Sequence, residues 1–564
     1  MPAIVTRTVP PRIVEQLVGN GVHPLLARIY AARGITSPQH VDPEFDHLVP
    51  PEAMLNLGAM ARLLADAIAA RKKLLIIADY DADGATACAV GVRALRAFGA
   101  VVDYLVPNRF EYGYGLTPEI VRLAQARSQP DVLITVDNGI ASFEGVDEAN
   151  RLGIAVLITD HHLPAERLPD ATCIINPNQP GCPFPSKHLA GVGVMFYLML
   201  ALRAELRSRG AFHDDAEFNL AGLLDLVAFG TVADVVTLDS NNRILVHQGL
   251  RRIRAGRMQP GIAGLFQIAG CDPRRATTFD VGFMLAPRLN AAGRLTDMAL
   301  GIECLITDDA GRALAIAAEL DRLNRERRAI ESGMQETALA AIESLDCGDS
   351  YSLSLFDPAW HQGVIGILAG RIKDRFHRPT IAFARGNPGE IRGSGRSLPA
   401  LHLRDALDRV VVRHPGLIIR FGGHAAAAGL TLREADFARF RDAFEDTARS
   451  LLTPADLQRV IETDGALEPE YLTLETAALL ADRVWGQGFP APRFCDEFDV
   501  AAQRVVGEKH LKLTLVRDAR RVEAMRFHGP GPMPARIRAV YSPTVNEYNG
   551  RQSLQLNIEH WEAA

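Results

Sequence analysis

Glycine never precedes lysine in this chain of 564 residues, so it holds no GxxxxGK[ST] phosphate loop, which argues against a P-loop nucleotide motor. HExxH, GxSxG and GxGxxG are missing too. Without the common hydrolytic signatures, metal-activated water is the hydrolytic chemistry left. Cysteine is sparse: Cys88, Cys173, Cys182, Cys271, Cys304, Cys347 and Cys495 are odd in number and form no CxxC pair. That pattern points to a reducing compartment and to buried small hydrophobes rather than a disulfide framework. Long apolar runs are lacking as well. The longest, residues 189–202, is too short to span a bilayer and contains two glycines, so it is expected to be a buried helix. Residues 1–11 lack the apolar core of a signal peptide, and a soluble cytoplasmic protein is expected. Excess positive charge is absent, the formal net charge being -6. This gives no global signature of nucleic-acid binding, although a large enzyme needs only a local basic groove.

What is present is concentrated in three short segments: Asp79-Tyr80-Asp81-Ala82-Asp83-Gly84, Asp137-Asn138-Gly139 and Asp160-His161-His162. Each closes an apolar run (residues 74–78, 132–136 and 156–159), and so reads as the carboxyl end of a buried parallel strand. Open α/β sheets place their active sites there. In an extended segment Asp79, Asp81 and Asp83 would point to one side, where three carboxylates would resist ionising unless a cation neutralised them. With Asp137 and an imidazole of the His pair, the donor set suits Mn²⁺ or Mg²⁺ better than structural zinc. Asp234 ends another apolar stretch, Gly230-Thr231-Val232-Ala233-Asp234, and can complete the shell. Asp137, alone on its strand end, is a candidate to bridge two ions.

At about 150 residues per domain the length calls for three or four domains. Residues 1–55 read as a polar, proline-dotted N-terminal arm, and 56–305 as strands alternating with amphipathic helices. A long charge-laced helix over 310–341 lies in a connecting segment, 306–345. A second α/β region, 346–452, carries Gly393-Ser394-Gly395-Arg396-Ser397 and Gly422-Gly423-His424. In 453–564 five short strands, with Asn549-Gly550 as a hairpin turn, fit a small barrel of the OB type. The segments Arg288-Leu289-Asn290-Ala291-Ala292-Gly293-Arg294 and 393–397 read as loops that combine exposed amides with guanidinium groups, a chemistry suited to phosphate. Phe110, Tyr112 and Tyr114 are candidates for stacking on bases.

Together these segments resemble the DHH phosphoesterase superfamily, and over nearly the whole chain its branch of single-strand-specific 5′-to-3′ DNA exonucleases. The segment 422–430 resembles the DHH-associated domain of that family. The resemblance implies a parallel-sheet DHH domain, a second α/β DHH-associated domain joined by a long helix, and a C-terminal OB barrel. It implies two ions, Mn²⁺ or Mg²⁺, one held by Asp79, Asp81 and Asp137 and the other by Asp83, Asp137, His161 and Asp234. Many superfamily members begin the first motif with histidine where this chain has Asp79. His162 would then polarise the scissile phosphate, with Asp160 orienting its neighbours. Arg109, Arg288, Ser394 and Arg396 would hold a 5′ phosphate and His424 would contact nucleic acid, in a cleft that admits a single strand. The implied partners are single-stranded DNA, a helicase and a single-strand-binding protein, with no membrane. The barrel region from residue 493 onward carries 11 Lys/Arg against 9 Asp/Glu, so its DNA binding rests on fold resemblance rather than charge. Two other readings remain: a phosphodiesterase of oligoribonucleotides or cyclic dinucleotides, against which the arm and barrel argue, and a non-catalytic DNA-binding scaffold, against which the complete ligand set argues.

Overall fold

The three acid-terminated runs lie side by side as parallel strands in the computed structural model, which describes residues 2–107, 112, 115–212, 217–344 and 349–564. After a short strand β1 (Ala3–Thr6), the strands β2 (Lys73–Ala78), β3 (Val101–Leu105), β4 (Val132–Val136), β5 (Ala155–Thr159) and β6 (Cys173–Ile175) form an all-parallel sheet in the order β3-β2-β4-β5-β6. Its central strands are buried on both faces, which is why they read as unbroken apolar runs rather than alternating ones. Leu75, Ile77, Leu133, Val156 and Ile158 pack on one face with Ile120, Val121 and Ala124 of helix Pro118–Ser128 and Val146 and Ala149 of helix Phe143–Arg151. On the other face helix Ala82–Ala97 lies so close that a Cβ on Gly91 would stand 3.0 Å from Ile76 Cδ1. The apolar run over 189–202 is indeed a buried helix, Gly191–Ser208, packed against Ala82–Ala97.

The chain divides into two units. The sheet just described belongs to a unit of Thr6–Asp321 and Glu462–Ala564; the other consists of Met1–Val5 and Arg322–Ile461. Helix Ala310–Ser344, 35 residues long, continues from one into the other. The second unit holds a mixed sheet of β7 (Leu353–Phe356), β8 (Thr380–Arg385), β9 (Glu390–Arg396), β10 (Arg420–Gly423) and β11 (Ala427–Arg433), ordered β10-β11-β9-β8-β7, with only β7 and β8 parallel. Phe383, Leu430 and Leu432 pack with Leu407 and Val410 of helix Leu403–Arg413 and Phe440 and Phe444 of helix Phe437–Leu451. The glycine-rich segment 393–397, read as a loop, is mostly strand β9. Gly393 and Gly395 are small because Phe383, Leu430 and Leu403 occupy the space a side chain would need.

Strand β12 (Val460–Thr463) pairs with β1. Beyond it β13 (Phe494–Val506), β14 (His510–Arg517), β15 (Arg520–Arg526), β16 (Arg536–Tyr548) and β17 (Arg551–Ala563) close a barrel in the order β13-β14-β15-β17-β16. A register shift between Val500 and Ala502 lets β13 pair with β16 along one half and β14 along the other. Asn549 (φ 51°) and Gly550 (φ 73°) form the expected two-residue turn between β16 and β17.

Part of the opening segment is packed. Helix Pro24–Ala31 buries Leu25, Leu26, Ile29 and Tyr30. Just beyond it Arg33 makes a bidentate pair with Asp464, at 2.6 and 3.0 Å, with the side chains 1% and 2% exposed. The described cysteines, Cys88, Cys173, Cys182, Cys271, Cys304 and Cys495, are free thiols, and Cys347 lies outside the described residues. Among the described residues no helix is long and apolar enough to cross a membrane.

Candidate metal centre

The first acidic segment is a strand end that turns at once into a helix, not the extended run the alternation suggested. The Asp79 amide still follows the sheet, donating to Val136 O at 3.3 Å. Asp81 is the N-cap of helix Ala82–Ala97, accepting from the amides of Asp83 and Gly84 on Oδ1, each at 3.0 Å. Asp83 therefore sits in the first helical turn and reaches the site from the helix. Gly84 is required here because a Cβ would lie 2.6 Å from Asp79 O. The Asp83 carboxylate is held by the first amides of helix Gly191–Ser208, those of Gly191 at 2.6 Å and Val192 at 2.8 Å. The sequence read that segment only as a buried helix; in the fold Gly191 is needed because a Cβ there would stand 2.8 Å from Asp137 Oδ1.

Asp137, at the end of β4, adopts a left-handed conformation (φ 61°) unusual for a residue with a Cβ. Its amide donates to Thr159 O at 3.1 Å. The next residue, Asn138, is buried and donates from Nδ2 to Ile77 O (3.2 Å) and Val136 O (2.9 Å), tying the ends of β2 and β4 together. Such local strain is retained where it aims a functional group.

At the end of β5, Asp160 acts as an anchor. Its Oδ1 accepts from the amides of His161 (2.7 Å) and His162 (3.1 Å) and pairs with His162 Nδ1 at 2.7 Å, while Oδ2 accepts from the Ile140 amide at 2.9 Å. Burial alone would raise its pKa, but the hydrogen bond and charge of His162 with those amides bring it down to about 2. Burial likewise works against the His162 cation, yet Asp160 outweighs it and lifts this imidazole to about 9. His161 faces the acids instead. Its Nε2 is 3.0 Å from Asp137 Oδ1, 3.6 Å from Asp234 Oδ2 and 3.9 Å from Asp83 Oδ2. Burial and the neighbouring His162 charge depress its pKa, favouring the neutral, metal-ligating form. Asp234 follows the end of helix Leu224–Ala233.

These side chains form three overlapping donor groups, each with its atoms within 4.8 Å: Asp79, Asp81 and Asp137; Asp83, His161 and Asp234; and Asp137, His161 and His162. Burial and the mutual repulsion of the acids push Asp83 and Asp234 up to about 7 and Asp137 well above the carboxylate range. Buried carboxylates driven toward neutrality by one another are stabilised by divalent cations, and oxygen donors with one imidazole fit Mn²⁺ or Mg²⁺. Asp137 and His161 each belong to two of the groups, so the three sets overlap through these two side chains.

Other expected contacts fall differently. The segment 288–294 is not a loop but part of helix Ala286–Leu295. Its amides serve the helix, Asn290 Oδ1 accepts from the Ala82 amide at 2.9 Å, and a Cβ on Gly293 would lie 1.9 Å from Tyr80 O. Arg288 is buried, its Nε 2.9 Å from Asp321 Oδ1 and its Nη1 donating to Met284 O. In the other unit Ser394 Oγ accepts from Arg396 Nη1 at 3.2 Å. Gly366, in the first turn of helix Ile365–Phe376, comes so close that a Cβ would lie 2.9 Å from Ser394 Oγ and 3.0 Å from Arg396 Nη2. His424 sits in the turn between β10 and β11, its amide donating to Ala427 O, whose residue pairs with Arg396. Tyr112 packs on the apolar cluster beneath the sheet; Arg109, Phe110 and Tyr114 lie outside the described residues.

Comparison with known proteins bears on this arrangement directly. Family models match over three stretches: the DHH family, N-terminal domain, over residues 73–231; the DHHA1 domain over 348–450; and the RecJ OB domain over 463–560. The single-stranded-DNA-specific exonuclease RecJ of Dickeya dadantii is 49% identical over 550 residues, covering 95% of each chain. The chain belongs to the RecJ family. The RecJ exonuclease of Escherichia coli is 47% identical over 551 residues, again with 95% of each chain covered. Among solved structures, RecJ from Thermus thermophilus in complex with Mn²⁺ matches with a TM-score of 0.83 and 29% identity, covering 100% of this chain and 80% of that one. The parallel acidic sheet, the second α/β unit and the closed barrel are therefore the RecJ-family architecture.

Proposed function

We propose that this protein is a metal-dependent exonuclease that degrades single-stranded DNA from its 5′ end, in recombination and repair. The observation that carries the reading is the convergence of Asp79, Asp81, Asp83, Asp137, His161, His162 and Asp234 in three overlapping donor groups, in a chain 49% identical to a single-stranded-DNA-specific exonuclease. In this reading Asp79, Asp81 and Asp137 hold one Mn²⁺ or Mg²⁺, and Asp83, Asp137, His161 and Asp234 the other. Bound there, such ions would lower the pKa of an attacking water and neutralise charge on the phosphodiester. The protein's own residues do the rest. Helix amides fix Asp83, the strained backbone at Asp137 aims the shared carboxylate, and Asp160 holds His162 protonated. With Nδ1 engaged by Asp160, His162 has Nε2 as the nitrogen to donate to a phosphate oxygen as charge builds on it.

For the strand's 5′ phosphate, we assign Ser394 and Arg396 as contacts. A hydroxyl, a guanidinium and the first turn of a helix meet there, the combination that suits a phosphate. Arg109 and Arg288 are proposed as further phosphate contacts, and His424 as a further nucleic-acid contact. A nuclease of this kind acts on strands already separated and kept open, so a helicase and a single-strand-binding protein are its expected partners, in the cytoplasm.

The test is Mn²⁺-dependent digestion of a long single strand labelled separately at its two ends, with duplex and dinucleotide controls and Asp137→Ala alongside. Early release of the 5′ label, duplex spared and variant inactive, is expected. A variant that turns over near the normal rate would refute the bridging assignment, and cleavage of dinucleotides with long strands untouched would refute the exonuclease reading.

A further inference from the structure

Two phenylalanines stand out of the surface of the unit that carries the acidic centre. Phe279 and Phe283 are 60% and 65% exposed, and their rings stack on each other with centroids 4.9 Å apart and planes 25° from parallel. They flank and occupy a π-helical stretch, Asp280–Leu285, which runs directly into helix Ala286–Leu295. Widened turns of this kind recur at functional sites, because the extra residue pushes side chains outward.

The stretch is tied to the metal centre at one end and to the barrel side at the other. A Cβ on Gly282 would lie 3.4 Å from Val232 Cγ1, in the helix that leads to Asp234. Farther along the same helical run, Asn290 accepts from the Ala82 amide beside the acids. On the opposite side Thr278 Oγ1 donates to Trp485 O at 2.6 Å, and Arg275 pairs with Glu547 at 2.6 Å. Glu547 precedes Tyr548, 74% exposed at the tip of the β16–β17 hairpin. The residue after Asp234, Val235, is itself 62% exposed. The exposed pair thus stands on a scaffold bonded both beside the acidic centre and to the barrel.

A single exposed hydrophobe is ordinary, but two aromatic rings stacked together with most of their surface in water mark a binding feature. We propose that Phe279 and Phe283 form a stacking step for unpaired bases of the DNA strand, between the metal centre and the barrel. This rests on the single-strand nuclease reading above. The occupant is a nucleic-acid strand rather than a protein because the rings stand on a helical run bonded at one end beside the acids and at the other to a barrel hairpin, and because an aromatic face accepts any base without sequence preference. It also adds to strand selectivity: in a duplex the base faces are covered by their neighbours, so only an unpaired strand can lay its bases on the rings.

The experiment measures equilibrium binding of the full-length protein to 5′-phosphorylated oligo-dT in EDTA, so that nothing is cut. A second set of oligonucleotides carries one abasic site moved stepwise along the strand. The wild type should lose affinity when the abasic site reaches one short window. Phe279→Ala/Phe283→Ala should bind the intact strand more weakly by roughly 5- to 100-fold and be indifferent to an abasic site within that window. Phe283→Tyr, which keeps the π face, should retain both affinity and the wild-type profile. Unchanged binding by the double alanine variant, or identical abasic profiles in the two proteins, would overturn the proposal and leave the patch to a protein partner. Restoring Mn²⁺ separates the two levels of inference. A wild type that then leaves the strand intact sinks the nuclease reading, whereas one that degrades it while the profiles coincide sinks the stacking step alone.

Discussion

At the scale of single residues, the acidic centre works by opposing burial with paired contacts. Asp160 and His162 form one such pair, the carboxyl at about 2 and the imidazole at about 9. Asp160→Asn removes the main charge that holds the imidazolium, so the His162 pKa in metal-free protein should fall well below about 9, burial then being opposed only by the remaining acids such as Asp234 and Asp79. Histidine NMR titration checks this; a value still near 9 would refute the pairing. Asp83 and Asp234 shift the other way, from 3.8 to about 7. In the fold they keep protons that the unfolded chain releases, so their contribution favours the metal-free fold at low pH and is lost as pH rises through the window between those values. The rise in melting temperature on adding Mn²⁺ should therefore be larger at about pH 7.5 than at about pH 5.5; equal shifts would contradict the repulsion described here. The acids themselves were legible in the sequence because each ends an apolar run. The amides of Gly191 and Val192 were not, since backbone donors leave no mark on a sequence and Gly191 reads as a helix glycine until its neighbour Asp137 is seen.

At the scale of elements, the strands followed from hydrophobic pattern and the long helix from its interleaved charges without proline, and the misreadings came from glycine. Segments 288–294 and 393–397 look like loops because glycine and arginine are common in turns. In the fold their glycines serve close packing instead, Gly293 against Tyr80 O and Gly393 against Phe383 and Leu430. Pattern cannot separate a glycine that bends the chain from one that makes room for a neighbour. Gly293→Ala should therefore cost roughly 1–3 kcal/mol of stability and shift the loop carrying Asp79 and Asp81, lowering nuclease activity by more than the fall in melting temperature alone accounts for. Thermal melting and initial rates on the same preparation test this, and a variant normal in both would show that the close approach is not needed. Alternation failed in a similar way at Asp83, where capping by Asp81 turns the chain into a helix shortly after the strand. The barrel strands ran longer than their apolar cores because the polar residues at their ends are paired but face water.

At the scale of the whole molecule, residues far apart in sequence lock one unit together. Arg33 and Asp464 are almost wholly buried, and Asp464 also accepts from the Arg493 amide at 3.0 Å. Replacing Arg33 with Ala would strand a carboxylate away from water, with an expected loss of roughly 3–5 kcal/mol, read by denaturant melting. A loss within the range of an exposed pair, under about 1 kcal/mol, would show that the site relaxes around the acid. Nothing in the sequence marked this pair, since an arginine in the opening segment and an aspartate near the barrel carry no periodic signal. Its spacing has a consequence for synthesis. Partners 431 residues apart leave the ribosome roughly 20–90 s apart at ordinary elongation rates. During that interval every acid of the metal centre is made, while the second segment of its unit has yet to be translated. The nascent chain thus carries a complete set of mutually repelling acids well before the pair that locks its unit can form, and early capture of a divalent ion would neutralise them.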